Sequence, residues 1–253
     1  MKRFITILVL FLGAPLVFAS DKINRPIETL FSSSWLDGIE KEVNLQTTDK
    51  HAIEVEDIGY PQMPRAIRVK ISRSDNFERV ANGVPRAELS FDAVVRFHRN
   101  QEYVVKWQTY IPTDYRFDGK QPEVISQIHQ GNASGYPTLA LFFSAEQQYG
   151  IRGRTGRAEQ SVGRTFGNLA EDKGKIANWT LHYIPDDTGK QALTELYKND
   201  LIVFRSAGIP NAYPNDDNAY FKIGLYKADW QKKASDVSQR ILYYGRISIS
   251  VVR

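Results

Sequence analysis

From Ala52 onward, apolar and polar residues alternate in short runs punctuated by Gly, Pro, Asn and Asp. A period of two puts successive side chains on opposite faces of a strand, so such runs read as half-buried β-strands. The pattern predicts strands over Ala66–Ser72, Arg86–His98, Tyr103–Ile111, Glu123–His129, Thr138–Phe143, Tyr149–Arg154, Trp179–Ile184, Leu193–Tyr197, Leu201–Arg205, Tyr220–Lys227 and Arg240–Val252. Ahead of them, Leu30, Trp35 and Ile39 are the apolar positions of a helix expected over Pro26–Glu42, and a second, short helix is expected after Asp229. Segment Gly153–Ile176 is rich in Gly, Arg and Asn and has little periodicity. It reads as the one long loop, and long loops in compact domains are often binding loops or lids. Many strands without long interleaved helices predict an all-β fold, an antiparallel β-sandwich or jelly roll.

Three of these strands set pairs of reactive side chains on the face that does not look inward. In Tyr220–Lys227, Phe221, Ile223 and Leu225 form the apolar row, while Tyr220, Lys222, Gly224 and Tyr226 form the other. An ammonium (Lys222) and a phenol (Tyr226) then flank Gly224, where the missing side chain lets something approach the backbone. In Arg86–Phe91, Arg86, Glu88 and Ser90 share a face opposite Ala87, Leu89 and Phe91. In Glu123–His129, Gln127 and His129 share a face. If the three faces line one cleft, it holds a guanidinium, a carboxylate, an amide, an imidazole, an ammonium and a phenol. Arg86 and Glu88 on one face also fit a plain structural ion pair, with Glu88 orienting Arg86. Tyr110 and Gln108 lie on the polar phase of their strand and are candidates to line the same cleft.

These segments carry a family resemblance. Arg86-Ala-Glu-Leu resembles the Arg-Thr/Ser-Glu-Leu motif of the family 7 alginate lyases, and Gln127-Ile-His matches their Gln-Ile/Val-His motif. Tyr220-Phe-Lys-Ile-Gly-Leu-Tyr-Lys is similar to their Tyr-Phe-Lys-Ala-Gly-Val/Ile-Tyr-Asn, with Ala87 in place of Thr/Ser and Lys227 in place of Asn. The order along the chain agrees. The wider context, from about Arg65 to Arg253, resembles the family 20 glucuronan lyases and the heparin lyase I-like group. It includes a strand ending in Tyr110-Ile-Pro and a Tyr197-Lys-Asn-Asp turn. The resemblance implies a concanavalin A-like jelly roll with a concave substrate cleft and a polysaccharide lyase that acts by β-elimination. It also implies that Tyr226 is the acid, or both acid and base, and that His129 is the base or a charge neutraliser.

The residue types suit that chemistry. Elimination removes the C5 proton of a uronic acid and expels the C4 oxygen, which drives charge onto a carboxylate that is already negative. Donors held in place around that carboxylate lower the barrier. Arg86 offers a planar fork and Gln127 an amide donor. An acid and a base complete the set. Arg86 and Lys222 beside Tyr226 are expected to favour the phenolate. Which of His129 and Tyr226 is the base stays open.

The rest of the chain narrows the setting. Lys2 and Arg3 precede an apolar run, Phe4–Phe18, that ends in Val17-Phe-Ala, the form of a signal peptide over residues 1–19. Export to the periplasm or medium is therefore expected, with 20–253 as a single lyase domain and no membrane span after cleavage. The 253 residues include no Cys, which excludes thiol chemistry and disulfides. The chain has 33 Lys and Arg against 29 Asp and Glu. Without Lys2 and Arg3 the net charge is about +2, too small to indicate nucleic acid. Arg152, Arg154, Arg157 and Arg164 cluster in the loop segment, either as ordinary surface charge or as a guide for an anionic polysaccharide. No cofactor is required by this chemistry. Structural calcium is an open possibility at Asn215-Asp-Asp-Asn, as it occurs in some relatives. A monomer is expected. The paired carboxylates of jelly-roll glycosidases are absent, which disfavours hydrolysis. A non-catalytic carbohydrate-binding protein on the same scaffold is the alternative reading.

Overall fold

The alternating runs fold as strands because each can bury one row of side chains against a second sheet while its backbone groups are satisfied by neighbours. The computed structural model describes residues 25–131, 135–155 and 161–253. The leader expected over 1–19 and Arg157 lie outside the described residues. The strands are β1 (Ile27–Ser33), β2 (Asn44–Gln46), β3 (Ile53–Tyr60), β4 (Met63–Ser72), β5 (Arg86–Ser90), β6 (Tyr103–Tyr110), β7 (Glu123–His129) and β8 (Leu139–Phe143). They continue as β9 (Tyr149–Gly153), β10 (Val162–Phe166), β11 (Ile176–Ile184), β12 (Leu193–Lys198), β13 (Leu201–Ala207), β14 (Tyr220–Tyr226) and β15 (Gln239–Val252).

The strands form two antiparallel sheets, a jelly-roll sandwich. The first has eight strands in the order β13-β12-β11-β6-β15-β4-β3, with β1 also paired to β15. The second has seven, in the order β10-β9-β8-β7-β14-β5-β2. Between them lies one continuous core that includes Leu89, Phe91, Trp107, Ile128, Trp179, Phe221, Ile223, Tyr244 and Ile249. Trp107 meets Phe221 across the two sheets at 5.1 Å between ring centres. No helix among the described residues is long and apolar enough to cross a membrane.

Where the expectations fail, the reason is local. Pro26–Glu42 is not helical: Ile27–Ser33 is a strand, paired in register with Ser33↔Ile247 and Ile27↔Val252. No helix follows Asp229; the chain there makes turns, with Trp230 N bonded to Lys227 O at 3.1 Å. The loop expected over Gly153–Ile176 contains β10, an edge strand paired with β9.

At one end, two buried ion pairs tie the layers. Arg240 of β15 forms a fork to Glu123 of β7, with both N–O distances at 2.6 Å. Lys227, just past β14, lies 2.9 Å from Asp118 and also donates to the carbonyls of Gln121 and Pro122 at 3.1 and 3.3 Å. Ala87 and Lys227 both lie off the polar face, fully buried. The two departures from the alginate lyase motifs are therefore in packing positions and touch nothing on that face.

Candidate active site

Strands β5, β14 and β7 are neighbours in the second sheet, and their registers bring the predicted residues together. Tyr226 pairs with Arg86, Gly224 with Glu88 and Lys222 with Ser90. On the other side of β14, Lys222 pairs with Gln127 and Tyr220 with His129. The side chains of directly paired residues share a face. Arg86, Glu88, Gln127, His129, Lys222 and Tyr226 thus stand on the face of the second sheet that points away from the core.

Glu88 is the hub. It is 1% exposed and accepts from three groups. Lys222 Nζ lies 2.5 Å from its Oε2, Arg86 Nη1 lies 3.4 Å from the same oxygen, and Gln127 Nε2 bonds to Oε1. Lys222 is itself 1% exposed and also donates to Gln46 Oε1 of β2 at 2.7 Å. The expectation that Lys222 grips substrate directly is therefore corrected: its ammonium is spent on Glu88 and Gln46 below the surface. Burial lowers its pKa, and the Glu88 carboxylate opposes the shift.

Arg86 lies with its guanidinium over the Tyr226 ring, 4.6 Å from the ring centre. Its Nε donates to Val84 O at 3.3 Å. Its Nη2 donates to no described residue, so that side of the fork remains for a carboxylate. The Tyr226 hydroxyl likewise bonds to no described residue. Burial raises the Tyr226 pKa, more than the Arg86 charge lowers it, with Glu88 adding to the rise. This reverses the expected drift toward phenolate, because the Glu88 carboxylate and the loss of water together outweigh the cation. Tyr226 keeps its proton at neutral pH.

His129 is half-buried near the other end of β14, its ring 5.6 Å from that of Tyr220. Its Nδ1 lies 2.8 Å from Gln130 O. A carbonyl only accepts, so Nδ1 carries the proton and Nε2 has a free lone pair. Burial lowers the His129 pKa, the bond to Gln130 O offsets part of the shift, and Lys222 and Arg86 add to the lowering.

A bulge shapes this surface. The β14–β7 register slips between Ile223 and Tyr226. Gly224 sits there at φ 137, and a Cβ on it would lie 2.3 Å from Ala87 O. What approaches the backbone at this glycine is β5 itself, not a ligand. The carbonyls of Gly224 and Ile125 are met from the opposite sheet by the Tyr244 hydroxyl, at 2.9 and 2.7 Å.

The remaining candidates separate. Arg152 lies on the site face, because it pairs with Ala140, which pairs with Gln127. Arg154 lies over the Tyr136 ring at 4.0 Å, and Tyr136 is close enough to Tyr226 to affect its titration. Arg164 pairs with Ile151 and so has the opposite phase from Arg152. Tyr110 is on the outward face of the first sheet, its hydroxyl 3.1 Å from that of Tyr60 and its ring 5.9 Å from Tyr243. Burial, then the Tyr60 contact, pushes its pKa up to about 12. Tyr110 and Gln108 therefore do not line the cleft; their strand belongs to the other sheet. In the Asn215–Asn218 turn, Asp217 is taken by Arg99, whose Nη2 lies 3.0 Å from Oδ2, and Asp216 accepts from Gly131 N at 2.9 Å. Among the described residues no group of three or more His, Asp or Glu converges as a cation site.

Sequence reasoning missed Gln46, Tyr136, Tyr244 and Arg96. Arg96 stacks on Tyr220 at 4.9 Å. Gln46 is on a strand of three residues and Tyr136 follows Gly135 in a loop, so neither had a periodic signal. Tyr244 was legible only as a core position of β15.

Replacing Arg152 and Arg154 together by Ser is expected to raise KM at low salt and leave kcat nearly unchanged, since screening is weakest there. Initial rates on a polyuronate from about 10 mM to 300 mM salt check this. Parallel salt curves for variant and wild type would make both arginines ordinary surface charge.

A family model described as Polysaccharide lyase matches residues 29–248. Among curated proteins, none matches the chain significantly in sequence. Among solved structures, the endo-β-1,4-glucuronan lyase of the fungus Trichoderma reesei superposes with a TM-score of 0.70 at 13% identity, over 88% of this chain and 95% of that one. A marine family 7 alginate lyase from Zobellia galactanivorans gives 0.53 at 16% identity, over 81% and 82% of the two chains. An alginate lyase from Pseudomonas aeruginosa gives 0.51 at 16%, over 74% and 82%. At such identities the structural likeness establishes the shared fold.

Proposed function

The chain belongs to the polysaccharide lyase family, and we propose that it cleaves a 1,4-linked polyuronate, glucuronan before alginate, by β-elimination after export. The observation that carries this reading is the Glu88 hub, which fixes Arg86 against Tyr226 with one side of its guanidinium fork uncommitted. With His129 neutral, the cluster of Arg86, Lys222 and Glu88 has a net charge of +1, the complement of one uronate carboxylate. The preference for glucuronan draws on the likeness to the Trichoderma reesei enzyme, which extends over nearly the full length of both chains.

In this mechanism the substrate carboxylate lies against Arg86 and the second amide hydrogen of Gln127. His129 Nε2 takes the C5 proton. The electrons of that C–H bond form the C4=C5 double bond as the C4–O bond breaks, and the Tyr226 hydroxyl protonates the departing oxygen. His129 beside Tyr220 and Tyr226 beside Arg86 flank Lys222 and Gly224 on one face of the sheet, across the bulge in β14. The mechanism requires both side chains to lean over those two residues, so that Nε2 reaches C5–H and the hydroxyl reaches the C4 oxygen of one sugar. The reacting sugar lies between them, over Gln127 and Arg86. A neutral imidazole with a lone pair and a phenol that keeps its proton support this division of roles.

The test is a panel of glucuronan, alginate and heparin-like chains. Elimination gives an unsaturated, ultraviolet-absorbing end, hydrolysis gives reducing ends without that absorbance, and a binding protein gives neither. Absence of ultraviolet-absorbing product from every polymer would end the proposal.

The pH profile follows from the two shifts. His129 must be unprotonated, and burial holds its pKa below the free value of about 6.5, so the midpoint of the acid limb of kcat/KM is expected below that pH. Tyr226 must be protonated, and its pKa lies above about 10, so the alkaline limb is expected only beyond that value. His129→Ala should lose most of the rate and, with it, the acid limb. An acid limb that persists in His129→Ala would assign it to another group.

A further inference from the structure

Above the site face, a large aromatic side chain stands open to water. Tyr136 is 65% exposed, yet its backbone is fixed. Gly135 before it takes φ 134, which glycine adopts without strain. The Tyr136 carbonyl accepts from the Tyr213 hydroxyl at 2.9 Å. Just beyond, Thr138 O accepts from Arg154 N at 2.7 Å, and the Arg154 guanidinium lies 4.0 Å from the centre of the Tyr136 ring. Arg152 of β9 and Tyr226 of β14 are separated in the sheet by β8 and β7. The Tyr136 phenol is near enough to act on the titration of both. It therefore overhangs β7 and β8, beside the reacting groups.

The surroundings of this ring choose an anion. Among the described residues neither Arg152 nor Arg154 pairs with a carboxylate. Burial, then Arg154 close by, lowers the Arg152 pKa. Like charges set side by side disfavour each other until an anion joins them. One face of the Tyr136 ring rests on Arg154 and the other is open. An apolar ring with a wet hydroxyl suits the C–H face of a sugar. A bare aromatic face is electron-rich and repels a carboxylate, but a guanidinium on its back draws that charge away. Arg152 is two strands from Gln127, and its guanidinium lies over Phe142 of the strand between, 5.5 Å from the ring centre. It is thus offset from the carboxylate that Arg86 and Gln127 hold.

We propose, on the polyuronate reading above, that Tyr136, Arg152 and Arg154 form a second uronate subsite: the open face of the Tyr136 ring lies on the sugar next to the reacting one, and the arginines hold that sugar's carboxylate. Tyr136 touches no reacting atom. It retains the chain and selects a charged unit at the neighbouring position.

The experiment uses the full chain and glucuronan. Tyr136→Ala leaves the Tyr213 bond in place, since that bond is to the backbone, so Tm should not move. KM should rise about tenfold, with kcat within about twofold of wild type. A ring contact is not screened, so the rise should persist from about 10 mM to 300 mM salt. Tyr136→Phe keeps the ring and should keep KM. An unchanged KM in Tyr136→Ala, or an equal loss in Tyr136→Phe, would overturn the subsite. So would a loss confined to low salt, which would make Tyr136 a spacer for the arginines, or a fall in kcat alone, which would make it act through Tyr226. Binding is measured apart from turnover, by retardation in native gels in the Tyr226→Phe background. Glucuronan should retard that variant, adding Tyr136→Ala should weaken binding about tenfold, and hydroxyethylcellulose should retard neither. Equal retardation with and without the Tyr136 ring, or retardation by the neutral polymer, would overturn the subsite even where wild type forms ultraviolet-absorbing product. Absence of that product with the expected retardation intact would overturn the lyase reading and leave the subsite standing.

Discussion

Tyr226→Phe is expected to lower kcat by about 10²-fold or more, the usual worth of a positioned general acid, while KM moves little. The change removes one hydroxyl that bonds to no described residue and keeps the ring on which Arg86 lies. The fold and the Arg86 position should therefore survive, and carboxylate binding with them. Because burial holds the Tyr226 proton in place, the wild-type hydroxyl is already in its reactive form across the neutral range. The loss should thus be nearly independent of pH from about pH 6.5 to 9. Tyr220→Phe, on the same strand and face, is the matched comparison and should lose less than about tenfold. Its ring touches His129 and Arg96, so a small effect on binding is expected from it. The measurement is the initial rate of ultraviolet-absorbing product at saturating glucuronan. Full activity in Tyr226→Phe would move the acid elsewhere, with His129 first in line, and would remove the reason for the Arg86–Tyr226 stack.

The site was legible in the sequence because strands β5, β7 and β14 alternate cleanly. Leu89, Ile128 and Ile223 are fully buried in the core, so their neighbours in sequence must face away. The phase of a strand follows from such residues; its neighbours in the sheet do not. Tyr110 has the right phase on β6, yet β6 lies in the other sheet, and no pattern within its own segment carries that information. The strands that were missed are those whose side chains are not sorted by burial. Ile27 and Leu30 of β1 are 50% and 39% exposed, so β1 is held by its backbone pairing with β15 rather than by an apolar row. Strand β10 has Val162 and Phe166 on one phase, but Arg164 between them breaks the row at the sheet edge. Strand β3 alternates only in part, since Glu54, Glu56 and Asp57 crowd its middle. The electrostatics were misread for a different reason. Two cations were visible near Tyr226, but the depth of burial and the position of the Glu88 carboxylate between them were properties of packing, and these decide the direction of the Tyr226 shift.

Glu88→Gln is expected to destabilise the protein by about 3–5 kcal/mol, the range for removing one partner of a buried ion pair. Lys222 would keep its ammonium at 1% exposure with only Gln46 and a neutral amide for company. For a chain of this size, each kcal/mol shifts Tm by about 2–4 °C, so a fall of roughly 6–20 °C should be seen. The deficit should depend on pH. Burial already lowers the Lys222 pKa, and without the Glu88 carboxylate only the more weakly acting Asp92 opposes that shift. The unfolded chain then binds the proton more tightly than the folded one, so stability of the variant rises as pH rises through the lowered folded pKa toward about 10.4. The deficit is therefore largest at neutral pH and shrinks in alkali. Lys222→Met in the Glu88→Gln background removes the stranded charge and should recover most of the lost Tm. It should not recover the rate, because Arg86 Nη1 still lacks the carboxylate that aims the guanidinium at the substrate. That split distinguishes a positioning role from a merely structural one. If Glu88→Gln melts with wild type, the hub does not hold the site. If the double variant regains full kcat/KM, Glu88 serves the fold alone, and Arg86 is placed by Val84 and the Tyr226 ring without it.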